Sequence, residues 1–237
     1  MSKSEKIVLN CLHKFNSYAE FAGYVEDDLN LTDWVVWEDS LQRRADYLDC
    51  GYKGRDEGFV YYQKLQQDAL INNIPADPGE MVTWLDTLRI LHEALLQVEL
   101  PEDILKDLVI IQEYCIPFSN KRADYLLISK NKMLILEFSF DNNEAFKYET
   151  KLQQVLGYKE RLSLLCTKET EIGTYVYIIK PESVTPDIRT KVPANDRNTF
   201  LLAQYIQIFF TKASASSTID QLGFLHAFET LMMRSKK

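Results

Sequence analysis

The sequence predicts an α/β protein, with a mainly four-stranded mixed sheet covered by helices on both faces. Three observations predict it. The apolar runs Leu108–Ile116, Tyr125–Ile128 and Met133–Leu136 follow one another with polar turns between them, as short strands do. Segments with helical spacing flank this block on both sides, and a further β-rich run, Thr174–Lys180, follows the second of them. Within the second run, Leu126 and Ile128 point one way and Tyr125 and Leu127 the other, so both sheet faces need apolar cover.

Composition sets the frame. The chain has 237 residues, 46% hydrophobic and 26% charged, which suits one globular core with added elements. No apolar run approaches the roughly 18 residues of a membrane span. The N-terminal residues Met1-Ser2-Lys3-Ser4-Glu5-Lys6 do not read as a signal peptide. Cys11, Cys50, Cys115 and Cys166 are scattered without a CxxC pair, as expected of reduced, packing thiols in the cytoplasm. His13, His92 and His226 are equally isolated and receive no role.

Residues 5–75 read as helical and acidic. Ile7–Tyr24 has three- and four-residue apolar spacing. Thr32 or Asp33 caps a second helix through Trp34, Val35, Trp37, Leu41 and Leu48, and Gly51-Tyr52-Lys53-Gly54 breaks it. Trp34 and Trp37 could stack on bases, but aromatics at this spacing on a helix are more often core. Phe59–Ile71 forms the next helix. Pro78-Gly79 opens a strongly periodic one, Glu80–Val98, with Met81, Trp84, Leu85, Leu88, Leu91 and Leu95 as its buried stripe. A short helix at Asp103–Asp107 leads into the first strand.

The tight turn Ser129-Lys130-Asn131-Lys132 fixes a register. If Lys130 and Asn131 form a two-residue loop, with Asn131 supplying positive φ, then Ile128 meets Met133, Leu126 meets Ile135, and Asp124 meets Glu137. Two carboxylates facing each other on apolar strands repel and are costly to bury, and a divalent cation would offset both effects. A longer loop would instead leave both acids at solvated strand ends.

Asn143–Leu165 follows with helical spacing. At about 100° per residue, Lys147, Lys151, Gln154 and Tyr158 share one edge within roughly 60°. Tyr148, Leu152, Val155, Leu156 and Leu162 form the adjoining apolar stripe. Such an edge can equally be a solvated lysine face at a core boundary.

Asp124, twelve residues, and Glu137-Phe138-Ser139 at the end of an apolar strand resemble the PD-(D/E)xK nuclease signature. Gln154-Val155-Leu156-Gly157-Tyr158 resembles the QxxxY motif of the RecB-like branch. Arg122-Ala123-Asp124 with the later QVLGYK is similar to nuclease-like domains that precede some helicases. The resemblance covers about residues 79–180. It implies a restriction-endonuclease-like core of helix, three strands, helix and strand.

It also implies a magnesium or manganese ion held by Asp124, Glu137 and the Phe138 carbonyl, and hydrolysis of phosphodiesters in DNA more readily than RNA. Ser139 stands where the family carries its catalytic Lys, so either Lys147 or Lys151 supplies the amine or the module is inactive and binds nucleic acid or a protein. Gln154 and Tyr158 would position water or the strand. A further acid would come from Glu80, Glu93 or Glu113, of which Glu113 lies best. Asp141 would be an outer-shell acid or a turn residue. Ala123 in place of the family's Pro matters little.

The net charge of −8 argues at first against nucleic acid, but its distribution does not. Residues 17–57 hold eleven acidic and four basic residues, a balance of −7, whereas residues 119–168 hold nine basic and six acidic, a balance of +3. The acidic N-terminal half either aids solubility or meets a basic protein partner. A regulatory or defence-associated component that needs another chain is a third reading. Residues 181–197, with three prolines, read as a loop, Asn198–Phe210 as a buried helix, Ala213–Ser217 as a small-residue linker, and Thr218 or Asp220 as the cap of a last helix through Met233. The expected organisation is thus a helical region over 1–77, the core over 78–182, and packing elements over 183–237.

Overall fold

The computed structural model describes residues 10–31, 58–140, 144–179 and 194–212. The expected helix around Trp34 and Trp37, the loop before Ala194 and the last helix lie outside the described residues, as do Asp141 and the side chain of Lys147.

The described chain is mixed α/β. Five strands form one sheet in the order β1-β2-β3-β4-β5: His13–Phe15, Val109–Cys115, Arg122–Ser129, Lys132–Phe140 and Glu171–Ile179. All neighbours are antiparallel except β4 and β5, which the crossover helix makes parallel. Six α-helices are described: α1 (Tyr18–Gly23, continued by a π-turn to Asp28), α2 (Gly58–Ile71), α3 (Pro78–Leu96), α4 (Glu102–Asp107), α5 (Glu144–Ser163) and α6 (Ala194–Thr211). None is long and apolar enough to cross a membrane.

The helical expectation for Ile7–Tyr24 is corrected at its centre, and the sheet gains a strand. His13–Phe15 pairs with Ile110–Gln112 and covers the edge of β2. Long-range contacts override local spacing here. Asn72 donates to the Leu12 carbonyl at 2.9 Å, and the His13 ring bridges Gln112 and Asp68 at 2.9 and 3.0 Å.

Helix α3 starts where Asp77 Oδ1 accepts the Glu80 N–H at 2.8 Å, with Pro78 in the first turn. Its stripe Met81, Trp84, Leu85, Leu88, Leu91 and Leu95 is buried as the periodicity predicts. Helices α3 and α6 cover one sheet face, packing on Ile110, Tyr125, Leu127, Leu134 and Leu136. Helix α5 covers the other through Val155, Tyr158 and Leu162, against Ile111, Leu126, Ile128, Met133 and Ile135. Two members of its expected stripe are corrected: Tyr148 and Leu156 are 45% and 38% exposed, whereas Tyr158, expected on the polar edge, is buried beside Val155 and Leu162. Helix α6 lies so close to β5 that a Cβ on Gly173 would stand 2.6 Å from the Phe209 ring.

The β3–β4 hairpin has the expected register, with Ser129 opposite Lys132, Ile128 opposite Met133 and Leu126 opposite Ile135. The positive φ falls on Lys130 (55°) rather than on Asn131. A two-residue turn can place its left-handed residue first, and the Lys130 side chain pairs with Asp103 at 2.7 Å.

A second irregularity lies at the other end of the same strands. In β2, Val109 and Ile111 face α5, and so do Tyr114 and Ile116, so the alternation of faces slips by one residue between them. The residue in between, Glu113, has a left-handed φ of 53°. In β3 the same slip separates Ala123 from Leu126 and Ile128. The pairs Gln112–Tyr125 and Tyr114–Ala123 bracket it without a change of register, so Glu113 and Asp124 stand opposite each other at a shared kink.

Candidate active site

The site gathers at this kink. The β3–β4 ladder is regular through Tyr125 and Leu136, and the next facing positions are Asp124 and Glu137. There the acids interlock with the opposing backbone. The Asp124 N–H donates to Glu137 Oε1 at 3.2 Å, and the Phe138 N–H donates to Asp124 Oδ2 at 2.6 Å. Each carboxylate thus accepts an amide of the other strand, which fixes both acids at the sheet end.

Helix α5 supplies the remaining donors. Lys151 Nζ donates to Glu137 Oε2 at 2.8 Å, and Gln154 Nε2 donates to the same oxygen at 3.1 Å. Gln154 Nε2 also approaches the Tyr158 hydroxyl, which accepts at 2.5 Å. Helical spacing places these three residues on one edge, and Val155 and Leu162 anchor that edge to the sheet. Glu137 is fully buried, and all three of its hydrogen bonds come from donors.

Burial first, then the charge of Asp124, pushes the Glu137 carboxyl from 4.5 up to about 8, against the pull of Lys151. Burial also raises Asp124. Lys151 is raised: burial works against its charge, but Asp124 and Glu137 outweigh burial and hold the ammonium protonated. Burial and the nearby Glu137 charge raise the Tyr158 phenol, so it is neutral at physiological pH.

Of the three competing Glu residues, the structure brings two to the site through one arginine. Arg122 Nε pairs with Glu113 Oε2 at 3.1 Å, its Nη2 pairs with Glu80, and its Nη1 donates to the Pro75 carbonyl at 2.6 Å. Glu113 is buried, and its carboxyl is raised well above the usual range by burial and then by Asp124. Glu93 pairs with Arg89 at 2.8 Å on α3. Sequence reasoning quoted Arg122 only as part of a motif; its basic charge two residues before Asp124 was the signal for this clamp.

Among the described residues, no group of three or more His, Cys, Asp and Glu side chains is arranged to hold a metal ion. Glu113, the acid expected to join the site, is paired with Arg122. The other expected ligands are the two carboxylates Asp124 and Glu137 and the Phe138 carbonyl. These are oxygen donors only, in the number from which magnesium is commonly held while it keeps water and substrate phosphate in its other positions. In donor chemistry the residues fit the ion. Ser139 is half-buried two residues beyond Glu137 on the same strand, and the Lys151 ammonium lies 2.8 Å from Glu137 Oε2. No family model matches the chain, and no curated protein or solved structure matches it.

Proposed function

We propose that the chain is a metal-dependent phosphodiesterase acting on nucleic acid, DNA ahead of RNA, built on a restriction-endonuclease-like core. The observation that carries this reading is the convergence of Lys151 and Gln154 on Glu137, with Asp124 facing it across the hairpin. A solvated lysine face would not aim an ammonium at a fully buried carboxylate. The element order of α3, β2 to β4, α5 and β5 supports the same reading.

Asp124, Glu137 and the Phe138 carbonyl would hold the ion, which when bound supplies Lewis acidity toward a phosphate oxygen and lowers the pKa of water. Lys151 supplies the positive charge that Ser139 lacks. Its ammonium stays protonated beside the two acids and offsets charge that builds on a phosphate. Tyr158 fixes the Gln154 amide, and Gln154 in turn fixes one Glu137 oxygen, so the acid cannot rotate when a substrate enters. Arg122 holds Glu113 back and leaves Asp124 and Glu137 as the pair of carboxylates that face Lys151 and Gln154.

The second reading is a nuclease-fold module without chemistry, which Ser139 at the lysine position favours. One experiment separates them. Single- and double-stranded DNA are incubated with manganese and wild-type protein, Glu137→Gln or Lys151→Ala. Cutting by the wild type that both variants lose supports hydrolysis with a relocated amine. No cutting by wild type on either substrate sinks it. Metal-dependent thermal stabilisation that Asp124→Asn abolishes would be the binding counterpart.

A further inference from the structure

The loop between β2 and β3, at the same end of these strands as the candidate site, carries an exposed aromatic ring. Phe118 is 77% exposed, has a left-handed φ of 57°, and belongs to neither apolar core cluster. A bulky residue in that conformation costs about 1–3 kcal/mol and persists only where its surroundings impose it. Here they do. Ile116 N–H donates to the Lys121 carbonyl at 3.0 Å and Ser119 N–H to the Ile116 carbonyl at 3.2 Å, and Lys121 N–H reaches Ser119 Oγ at 3.1 Å. From outside the loop, Arg161 Nη1 donates to the Phe118 carbonyl itself at 2.9 Å. The backbone is closed on itself and pinned to α5, with the ring left outside.

The position of the loop gives the ring a use. Lys121 closes the loop three strand residues before Asp124, a span of about 10 Å. Arg161 lies seven residues beyond Gln154 on α5, again about 10 Å along the helix. The two paths start at the Asp124–Glu137 pair and end at the same loop. At about 3.4 Å per stacked nucleotide, the ring lies roughly three bases from the acids. The loop Ile116-Pro117-Phe118-Ser119-Asn120-Lys121 holds no acid and one exposed cation, Lys121, which suits a phosphate backbone beside the ring.

We propose that Phe118 is a base-stacking platform for a single-stranded polynucleotide, which the Lys121 side of its loop guides toward Asp124 and Glu137. This rests on the nucleic-acid reading above but not on catalysis. A duplex keeps its bases stacked inside, so an exposed ring at a loop tip selects unpaired bases, and every base offers a face to it.

The test is fluorescence anisotropy with the full chain in EDTA, where neither cleavage nor metal enters. The probes are labelled oligo-dT, oligo-U and a duplex of equal length. Phe118→Ala is expected to weaken single-strand binding about 5- to 150-fold, as loss of one aromatic–base stack does, and to leave duplex binding within about twofold. Phe118→Trp is expected to retain affinity and to show fluorescence quenching on oligonucleotide addition beyond that of the three native tryptophans. A preference between oligo-dT and oligo-U then separates DNA from RNA.

Equal binding of single strands by wild type and Phe118→Ala overturns the proposal, as does an equal loss on single strand and duplex. So does wild-type protein that binds no polynucleotide, which would make Phe118, with the 85% exposed Leu164 near Arg161, a protein-contact patch instead. Phe118-dependent binding without cleavage in manganese leaves this proposal intact and removes only the hydrolytic reading.

Discussion

Replacing Lys151 by Met removes an ammonium 2.8 Å from a fully buried carboxylate and keeps most of its volume. The consequence should depend on pH, and its sign follows from Glu137. That carboxyl is raised from 4.5 to about 8, by burial and then by Asp124, so between those values the folded chain binds a proton that the unfolded chain releases. Stability from this group is present in acid and is lost as pH rises through the window, at up to about 1.4 kcal/mol per pH unit. In the wild type the loss ends near pH 8, where Glu137 is ionised and paired with Lys151. Without the ammonium, Glu137 titrates higher still, and the variant keeps losing stability where the wild type has levelled.

The gap between the two proteins should therefore be small near pH 6 and widen toward pH 9, by up to about 1.4 kcal/mol over the one pH unit in which only the variant still loses stability. Urea unfolding in EDTA at these pH values measures it. A gap that is the same at both, or absent near pH 9, would refute the argument that Lys151 is what allows Glu137 to be ionised.

Three further outcomes test the frame around the site. Gly173→Ala should cost about 1–3 kcal/mol, because the new methyl meets the Phe209 ring at 2.6 Å and that ring is stacked on Tyr205 and edge-on to Phe210; a urea midpoint restored by adding Phe209→Leu would identify the clash. Gly157→Ala should stabilise the chain by about 0.5–1 kcal/mol, since nothing lies within 4 Å of the added methyl and α5 gains helix propensity; a lowered thermal midpoint would contradict it. Asp77→Ala removes the acceptor of the Glu80 N–H and should cost about 1 kcal/mol, read from the same urea curves.

Much of the frame was legible because it is local. The register of β3 and β4 follows from one turn and the period of two, and it survives even though the left-handed residue is Lys130 and not Asn131. The stripe of α3 follows from the period of 3.6. Strand β1 was not legible. Three residues carry no period of their own, and what makes them a strand is the free edge of β2 nearly a hundred residues away. The burial of Tyr158 in place of Leu156 was hidden for a related reason. Both lie near the boundary of the apolar arc, and the partner of the Tyr158 hydroxyl, Gln154, is what lets a phenol take the buried position.

Glu113 shows where pattern reasoning ends and what lies beyond it. Strict alternation assigns one face to residues 109, 111 and 113, and Tyr114 then falls on the other, yet Tyr114 is buried against α5 with Val109 and Ile111. In β2 the left-handed residue between them reconciles the two, and it costs backbone energy. The cost falls at the one place in the sheet where Glu113, Asp124 and Glu137 meet, with Arg122 held between Glu113 and Glu80. A sheet selected for stability alone would put an apolar residue with ordinary backbone at that position. The strain, the buried acids and the two cations drawn to them are separate costs borne at one end of two strands, and their coincidence is the physical argument for a site there.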